Sequence, residues 1–212
     1  MKPKVVLADD HTIVTEGLKV LLGREFEIVA TVDNGRDAVR AARDLAPAVV
    51  ILDISMSQLN GIHAAKEIRK FNPKIKIVFL TMHSEMAYVQ EAFEAGASGY
   101  VIKHSACIDL LTAMRQALLG RKYVTPGVAD NGVTAPLRGS RRVRTASAKL
   151  TPRQIEVLQL LAEGCSAKEA AAILNLSSRT VEFHKYRLMQ QLGLRTAAQL
   201  TQFAIKHRII AV

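Results

Sequence analysis

The sequence is poor in cysteine and in aromatic residues. Its 212 residues include two cysteines and no tryptophan, and the aromatic content is 5%. Cys107 and Cys165 lie far apart and show no metal-ligand spacing, which argues against a cysteine-based zinc site and against the disulfide framework of a small secreted protein. We interpret both as small hydrophobic residues of a protein from a reducing compartment.

Long apolar runs are also missing. The apolar stretch within the first ten residues, MKPKVVLADD, ends at Ala8, whereas a signal peptide needs an apolar core of about 7–15 residues. No other run approaches the roughly 18 apolar residues of a membrane-spanning helix. We therefore expect a cytoplasmic protein without a membrane segment.

What the sequence does have is a large apolar fraction and an uneven charge. Apolar residues make up 49% of the chain, enough to bury the core of one large domain or two small ones. Residues 1–125 contain 16 Lys and Arg against 14 Asp and Glu, whereas residues 126–212 contain 13 against 5. The asymmetry favours a basic C-terminal module that contacts nucleic acid, although surplus Lys and Arg also serves solubility.

The first 125 residues alternate between two hydrophobic periods. Segments with helical spacing separate short β-branched runs, which is typical of a parallel sheet with helices on both faces. The sequence therefore predicts an α/β domain with a five-stranded, doubly wound parallel sheet. The predicted strands are residues 4–8, 27–32, 48–52, 75–80 and 98–102, and the predicted helices are residues 13–23, 35–45, 62–71, 85–96 and 106–120.

Residues 126–149 lose both periods and are rich in Gly, Pro, Ser and Arg. This composition predicts a flexible basic linker between a first domain at residues 1–125 and a second at residues 150–212. Contact with DNA phosphates and a simple solvated tether are both compatible with its charge. The arginines concerned are Arg138, Arg141, Arg142 and Arg144.

Helix-capping signals divide the C-terminal domain into four predicted helices. Thr151 and Ser166 are followed three residues later by Gln154 and Glu169, which is the pattern of a capping box at a helix start. Two helices, a tight turn at residues 175–177 and a third, amphipathic helix in a basic domain indicate a helix-turn-helix. A generic four-helix bundle is the alternative on pattern alone.

Polar residues stand at the end of four predicted strands: Asp9 and Asp10, Asp53, Thr81, and Lys103. Each alone has an ordinary explanation, such as a helix cap or a lysine that reaches solvent. Together they are expected to converge, because the carboxyl ends of parallel strands share one edge of the sheet. Three converging carboxylates repel each other unless a cation neutralises them, and Mg²⁺ is the hard ion that such oxygen ligands favour.

This set of residue types is suited to phosphoryl transfer. The Asp53 carboxylate can act as a nucleophile that forms an acyl phosphate. Lys103 and Mg²⁺ would offset the charge on the transferred phosphoryl oxygens. Thr81 would supply a hydroxyl donor to the attached group.

The motifs LADDH, VILDISM, FLTMH and GYVIK, in this order and spacing, resemble the receiver domain of two-component response regulators. The segment LTPRQIEVLQLLAEGCSAKEAAAILNLSSRTVEFHKYRLMQQLGL resembles the LuxR-type helix-turn-helix. Together they resemble the NarL/FixJ family over nearly the whole chain. The resemblance implies a flavodoxin-like receiver with strand order 2-1-3-4-5 and an all-α, four-helix output domain.

The resemblance implies a role for each matching residue. Asp53 is the expected phosphoacceptor, Asp9 and Asp10 are the acidic pair that helps to bind Mg²⁺, and Asp53 with the backbone carbonyl of Ser55 completes the protein ligands. The resemblance also implies that Thr81 supplies the switch hydroxyl, that Lys103 pairs with the phosphate and that Tyr100 is an aromatic residue that changes rotamer. For Tyr100, a half-buried strand tyrosine is the alternative.

Two positions depart from the family pattern. Ser57 and His104 stand where the family usually has proline. Proline fixes the backbone φ angle, so we expect less rigid loops here and a less certain placement of Lys103.

The third C-terminal helix is the predicted recognition helix. Val181, Leu188 and Leu192 form its inward stripe, because residues three and four apart share one face of a helix. We expect phosphate contacts from Ser178, Arg179, His184, Lys185 and Arg187, base-edge contacts from Glu182, Phe183 and Tyr186, and a backbone contact from Lys168 in the preceding helix.

Glu182 is open to two interpretations. Its carboxylate could accept a hydrogen bond from a cytosine amino group in the major groove. It could instead pair with Lys185 or Tyr186 on the same helix. The last helix is also ambiguous: Leu200, Phe203 and Ala204 form either a dimer seam or part of the domain core.

The sequence therefore predicts a phosphorylation-controlled transcription factor rather than an enzyme. A histidine kinase would phosphorylate Asp53 and so control binding to double-stranded DNA, with a homodimer on an inverted repeat. One alternative is a phosphohydrolase with an Asp nucleophile; it is disfavoured because Ser55 leaves no second acid to protonate a leaving group and because an enzyme does not need the basic helix-turn-helix. An RNA-binding output is the other alternative.

Overall fold

The computed structural model of the protein describes residues 1–129 and 150–210. The chain divides into two compact units, one mainly N-terminal and one mainly C-terminal. Most of the predicted linker, including its four arginines, lies outside the described residues. The exact domain boundaries stay a prediction.

The N-terminal unit is an α/β domain, as the sequence predicts. Its strands are β1 (Lys4–Ala8), β2 (Glu27–Val32), β3 (Val49–Leu52), β4 (Lys76–Thr81), β5 (Gly99–Ile102) and β6 (Tyr123–Val124). Its helices are α1 (Thr12–Leu22), α2 (Gly35–Leu45), α3 (Gly61–Phe71), α4 (Met86–Glu94), α5 (Ala106–Leu118) and α6 (Pro126–Ala129). All strands pair in parallel in the order β2-β1-β3-β4-β5-β6.

The prediction of five strands is wrong by one, because β6 extends the sheet beyond β5. In its register, Gly99 lies beside Tyr123 and Tyr100 beside Val124. A two-residue strand has no detectable period, so the sequence carried no signal for it. Residues 126–129, at the start of the predicted linker, form the short helix α6.

The core lies on both faces of the sheet. Helices α1 and α5 cover one face, where residues such as Leu18 and Leu110 pack against Leu7, Ile51 and Val101 of the strands. The intervening strand residues point to the opposite face and are buried as well; α2 packs there against the first three strands and against α3. Burial on both faces explains the apolar runs of β1, β3, β4 and β5.

The C-terminal unit consists of the predicted helices α7 (Pro152–Ala162), α8 (Ala167–Leu174), α9 (Ser178–Leu192) and α10 (Ala197–Lys206). Both predicted capping boxes form, with the side chains of Thr151 and Ser166 accepting hydrogen bonds from the backbone N–H groups of Gln154 and Glu169. Asn175 adopts the left-handed conformation between α8 and α9. The box at Ser166 therefore begins α8, and Asn175 ends it at the tight turn before α9.

Two residues of the apolar stripe of α10 belong to the core of its own unit. Leu200 and Ala204 are buried, and α10 packs against α7, whereas Phe203 is only partly buried. The dimer seam stays a prediction. No helix in the described part of the chain combines the length and hydropathy needed to cross a membrane.

Candidate functional site

The predicted acidic residues meet at the carboxyl edge of the sheet. Asp9 follows β1, and its backbone N–H donates to Val32 on β2; Asp53 follows β3, and its backbone N–H donates to Ala8 on β1. Both side chains are buried, whereas Asp10 is exposed at the rim. Ligand atoms of Asp9, Asp10, His11 and Asp53 all lie within 4.8 Å of one another.

Lys103 enters this cluster from the end of β5. Its Nζ lies 2.6 Å from Asp53 Oδ2 and 2.8 Å from Asp9 Oδ2. Burial alone would lower the pKa of this ammonium, but hydrogen bonds from it to Asp53 and Asp9 outweigh burial and raise its pKa above the usual value. The lysine is therefore a fixed positive charge beside the two buried carboxylates. It reaches this position although His104, rather than the proline usual in the family, follows it in the chain.

The loop after β3 holds the Asp53 carboxylate in place. Asp53 Oδ1 accepts hydrogen bonds from the backbone N–H of Ile54 at 2.6 Å and from that of Ser55 at 3.4 Å. The chain then returns so closely that a β carbon at Gly61 would overlap the carbonyl oxygen of Asp53. Only glycine fits at the start of α3 without displacing Asp53.

The site has the donor set of a hard divalent cation. Its carboxylates offer oxygen ligands, which suit Mg²⁺. Asp9 Oδ2 is buried and, although Lys103 Nζ stands 2.8 Å away, no donor within residues 1–129 and 150–210 meets it in hydrogen-bond geometry. A buried carboxylate oxygen in this condition is one that a cation would stabilise, so the residues present fit a metal ion.

Thr81 and Tyr100 lie on the next two strands along the sheet. Both are fully buried. The Thr81 hydroxyl accepts a hydrogen bond from the backbone N–H of His83 at 3.3 Å, and the Tyr100 hydroxyl donates to the carbonyl oxygen of His83 at 2.8 Å. Burial raises the pKa of the Tyr100 phenol. Tyr100 is thus fully rather than half buried, and its role as the switch aromatic stays a prediction.

The structure adds two histidines that the sequence analysis passed over. His11 Nδ1 lies 2.8 Å from Asp10 Oδ1 and 3.0 Å from Asp9 Oδ1. His83 Nε2 lies 2.8 Å from Ser55 Oγ. Both histidines end a motif already singled out, LADDH and FLTMH, so their position next to site residues was the available signal.

In the C-terminal unit, α9 presents the predicted surface. Val181 and Leu188 are fully buried and Leu192 is partly buried, which confirms the inward stripe. The predicted contact residues lie on the remaining surface of the helix. Ser178, Arg179, Glu182, Phe183, Tyr186, Arg187 and, on α8, Lys168 are exposed, and His184 and Lys185 are partly buried on the flank.

Contacts within α9 order several of these side chains. The Arg187 guanidinium lies 5.2 Å from the centre of the Phe183 ring, in cation–π geometry. Lys185 Nζ is 3.6 Å from Glu182 Oε2. The helix pairing that the sequence left open for Glu182 therefore forms, as a weak exposed ion pair that DNA could displace.

Comparisons with known proteins agree with both halves of the chain. Residues 5–115 match the response regulator receiver domain, and residues 148–204 match the bacterial regulatory proteins of the luxR family. The chain is 34% identical to the transcriptional regulatory protein MctR of Rhizobium johnstonii, over 99% of this chain and 96% of that protein. It is 32% identical to the oxygen regulatory protein NreC of Staphylococcus epidermidis, over 98% and 99%.

Solved structures show the same likeness. The RcsB response regulator of Salmonella typhimurium is similar with a TM-score of 0.57 and 28% identity, over 95% of this chain and 97% of that one. RcsB in complex with DNA is similar with a TM-score of 0.58 and 27% identity, over 96% and 98%. A LuxR-family response regulator from Aurantimonas sp. SI85-9A1 has a TM-score of 0.59 and 36% identity, over 61% and 94%.

A parallel sheet with buried acids at its strand ends, followed by a capped helix-turn-helix, defines a receiver joined to a DNA-binding module. The chain belongs to the two-component response regulators, with a receiver domain followed by a LuxR-type DNA-binding domain.

Proposed function

We propose that a histidine kinase phosphorylates Asp53 in the presence of Mg²⁺, and that phosphorylation controls sequence-specific binding to double-stranded DNA. The observation that carries this proposal is the position of Lys103 Nζ, 2.6 Å from Asp53 Oδ2, within a cluster that includes Asp9 and Asp10. The proposal assigns the metal to Asp9, Asp10, Asp53 and the backbone carbonyl of Ser55.

The chemistry follows from these charges. The Asp53 carboxylate attacks the phosphorus of a phosphohistidine; an O–P bond forms, the N–P bond breaks, and the imidazole leaves. Bound Mg²⁺ would supply charge neutralisation for the phosphoryl oxygens. Lys103 stabilises the same charge from the β5 side, and Thr81 turns its hydroxyl toward the attached group. Tyr100 would follow this movement, because both residues bond to His83.

The output surface is assigned to α9 and the start of α8. Side chains proposed to contact phosphate would position the helix, whereas those facing base edges would read sequence. The exposed aromatic and basic groups on one side of α9 support this assignment. The phosphate set is Lys168, Ser178, Arg179, His184, Lys185 and Arg187, and the base-edge set is Glu182, Phe183 and Tyr186.

The assembly and location complete the proposal. We infer a homodimer when the protein is phosphorylated, on DNA that repeats in inverted orientation, since protein two-fold symmetry is mirrored in the operator. One solved relative is described as two RcsB dimers bound to two parallel DNAs. A cytoplasmic location follows from this role.

A regulator is favoured over the two alternatives. A phosphohydrolase with an Asp nucleophile would use a second carboxylic acid two residues after Asp53 to protonate the leaving group, and that position is Ser55. The LuxR-type module is a DNA-binding type, which disfavours an RNA output. Catalytic turnover of phosphomonoesters by the purified chain would support the enzyme alternative.

The assignment of Asp53 can be tested with the beryllofluoride mimic of the phosphoryl group. We expect the wild type to bind it only with Mg²⁺, and Asp53→Asn not to bind it, as observed by ¹⁹F NMR. Asp44→Asn, which changes an exposed acid on α2, is the matched control and should bind as the wild type does. Binding to Asp53→Asn at the wild-type level would reject Asp53 as the phosphoacceptor.

A further inference from the structure

His11 is the member of the acidic cluster to which the proposed function gives no role. It follows Asp9 and Asp10 in the loop between β1 and α1. Its ring nitrogen Nδ1 lies 2.8 Å from Asp10 Oδ1 and 3.0 Å from Asp9 Oδ1. Nδ1 is also 3.4 Å from Lys103 Nζ, the ammonium that contacts both buried carboxylates. The imidazole nitrogen therefore lies among the oxygen atoms of the cluster.

The side chain of His11 does not serve the helix that it begins. His11 is the N-cap of α1, and an N-cap side chain ordinarily accepts a hydrogen bond from a backbone N–H of the first turn. Asn60, the N-cap of α3, accepts in this way from His63. The His11 side chain makes no capping bond with any described residue of α1, so the contacts of its ring are those with the carboxylates.

The spacing of these atoms suits ligands of one metal ion. Two ligands at right angles around an ion, each about 2.1 Å from it, lie about 3 Å apart. The distances from His11 Nδ1 to the oxygens of Asp9 and Asp10 have this size, and Asp53 offers a further oxygen within 4.8 Å. Asp9 itself points to a cation, because its side chain is 2% exposed and no donor in the described ranges meets Oδ2 in hydrogen-bond geometry.

A metal ion would take the place of a proton on His11. Ionised carboxylates only accept hydrogen bonds, so the contacts of Nδ1 require a proton on Nδ1. A neutral imidazole carries its proton on either ring nitrogen. The His11 side chain is 60% exposed, so water can reach the ring and carry the proton to Nε2. The lone pair that this shift leaves on Nδ1 can then bind a metal, and the imidazole stays neutral.

We propose that His11 is a metal ligand that gives the acidic site a preference for first-row divalent transition-metal ions over Mg²⁺. Imidazole is a good ligand for ions such as Zn²⁺ and Ni²⁺, whereas Mg²⁺ prefers oxygen and keeps several waters. A transition-metal ion therefore gains a bond to Nδ1 that Mg²⁺ does not use, and it competes with Mg²⁺ for the carboxylates. The inference rests on the metal site of the proposed function and adds a ligand to it.

The test compares two ions in the unphosphorylated full chain. Zn²⁺ and Mg²⁺ are each titrated by isothermal calorimetry, near neutral pH, into the wild type and into His11→Asn. Asparagine is a favoured N-cap residue and its amide can donate to the carboxylates, so this variant keeps the start of α1 and loses the imidazole. His104→Asn makes the same change at an exposed histidine that does not belong to the cluster, and it is the matched control.

We expect His11→Asn to raise the ratio of the Zn²⁺ to the Mg²⁺ dissociation constant by about tenfold or more, since even a residue that only supports a metal ligand contributes about that much. His104→Asn should keep the wild-type ratio. An unchanged ratio in His11→Asn would overturn the proposal, whether both affinities are retained or both fall together. A merely structural change would weaken the two ions alike.

Nuclear magnetic resonance of the histidine ring nitrogens gives a second measurement. In the wild type, Zn²⁺ should shift the Nδ1 resonance of His11 and place the ring proton on Nε2, whereas Mg²⁺ should not move the proton. Zn²⁺ binding without a change at the His11 ring would reject this residue as a ligand. The proposed function fails separately, through a wild type that does not bind beryllofluoride with Mg²⁺, because neither Zn²⁺ measurement uses a phosphoryl group.

Discussion

At the scale of single residues, the groups that contact a buried carboxylate determine whether its role is structural or functional. Asp53 and Asp109 are both buried aspartates. Lys103 lies beside Asp53 at a crowded, charged site, whereas Asp109 receives hydroxyl hydrogen bonds from Tyr123 and others. Burial opposes ionisation of Asp109, but these hydrogen bonds outweigh it and lower its pKa. Asp109 is satisfied by neutral donors, so it is a structural acid.

His63 gives the clearest pH dependence of a single residue. It is buried in α3, and its Nδ1 lies 2.8 Å from Asn60 Oδ1. Burial, together with the charges of Lys66 and Lys70, lowers the pKa of its imidazole to about 3. The unfolded chain, with a pKa near 6.5, takes up the proton first as the pH falls. Folding therefore loses stability from about pH 6.5 down to pH 3.

The variant His63→Gln removes this titration. Between pH 7 and pH 4 we expect the free energy of unfolding of the wild type to fall by about 3 kcal/mol more than that of the variant. Urea unfolding at each pH measures the difference. His104→Gln changes an exposed histidine, and its curve should follow the wild type. Parallel curves for His63→Gln and wild type would contradict a buried neutral imidazole.

At the scale of elements, β6 shows how a short segment is fixed by its neighbours. Thr125 directly follows this strand; its backbone N–H donates to the carbonyl oxygen of Tyr100, and its hydroxyl oxygen accepts from the backbone N–H of Ile102 at 3.2 Å. Tyr123 donates to Asp109 on α5 at 2.7 Å. These bonds attach β6 to the strand and helix on either side of Lys103.

Thr125→Val tests this attachment. Valine keeps the shape of threonine but cannot accept from Ile102 or bond to Asp109, so two buried polar groups lose a partner. We expect the free energy of unfolding to fall by about 1–3 kcal/mol in urea titrations. The matched control is Thr112→Val at an exposed position of α5, which should stay within about 0.5 kcal/mol of wild type. Equal stability of the two variants would show that the Thr125 hydroxyl is not needed.

At the scale of the whole molecule, charge and chemistry are divided between the two halves. The receiver half is nearly neutral and carries the acidic site, whereas the C-terminal half carries most of the excess positive charge. A basic module attracts any DNA, so under the proposed function phosphorylation would act on assembly or access rather than on the charge of α9. Two linked modules on one operator gain affinity by avidity.

Phosphorylation should therefore change mass and affinity together. With beryllofluoride and Mg²⁺, we expect the mass in solution to double and the affinity for an inverted repeat to rise by about 100-fold over that for its half-site. Analytical ultracentrifugation and fluorescence anisotropy, on duplexes selected from a random pool, measure both. Asp53→Asn is the control, and neither its mass nor its affinity should change when beryllofluoride and Mg²⁺ are added. A wild type that binds half-site and full site alike in both states would contradict control by dimerisation.

Much of this organisation was predictable from local pattern. The β-branched runs gave β1 to β5, and the capping boxes at Thr151 and Ser166 placed α7 and α8, because both signals act within a few residues. Because the carboxyl ends of parallel strands share one edge of the sheet, the sequence also predicted that Asp9, Asp53 and Lys103 lie close together. The sequence did not predict β6, because this strand is too short to show a hydrophobic period and forms by pairing with β5.

By itself, the sequence determined the two fold types, the charge division between them and the identity of the strand-end residues, because periodicity, capping and composition are properties of short segments. Only the tertiary structure decided the partners: Lys103 between Asp9 and Asp53, His83 between Ser55 and Tyr88, and the burial of two residues of the α10 stripe. These contacts join residues distant in the chain, and their geometry is set by how the sheet and helices pack.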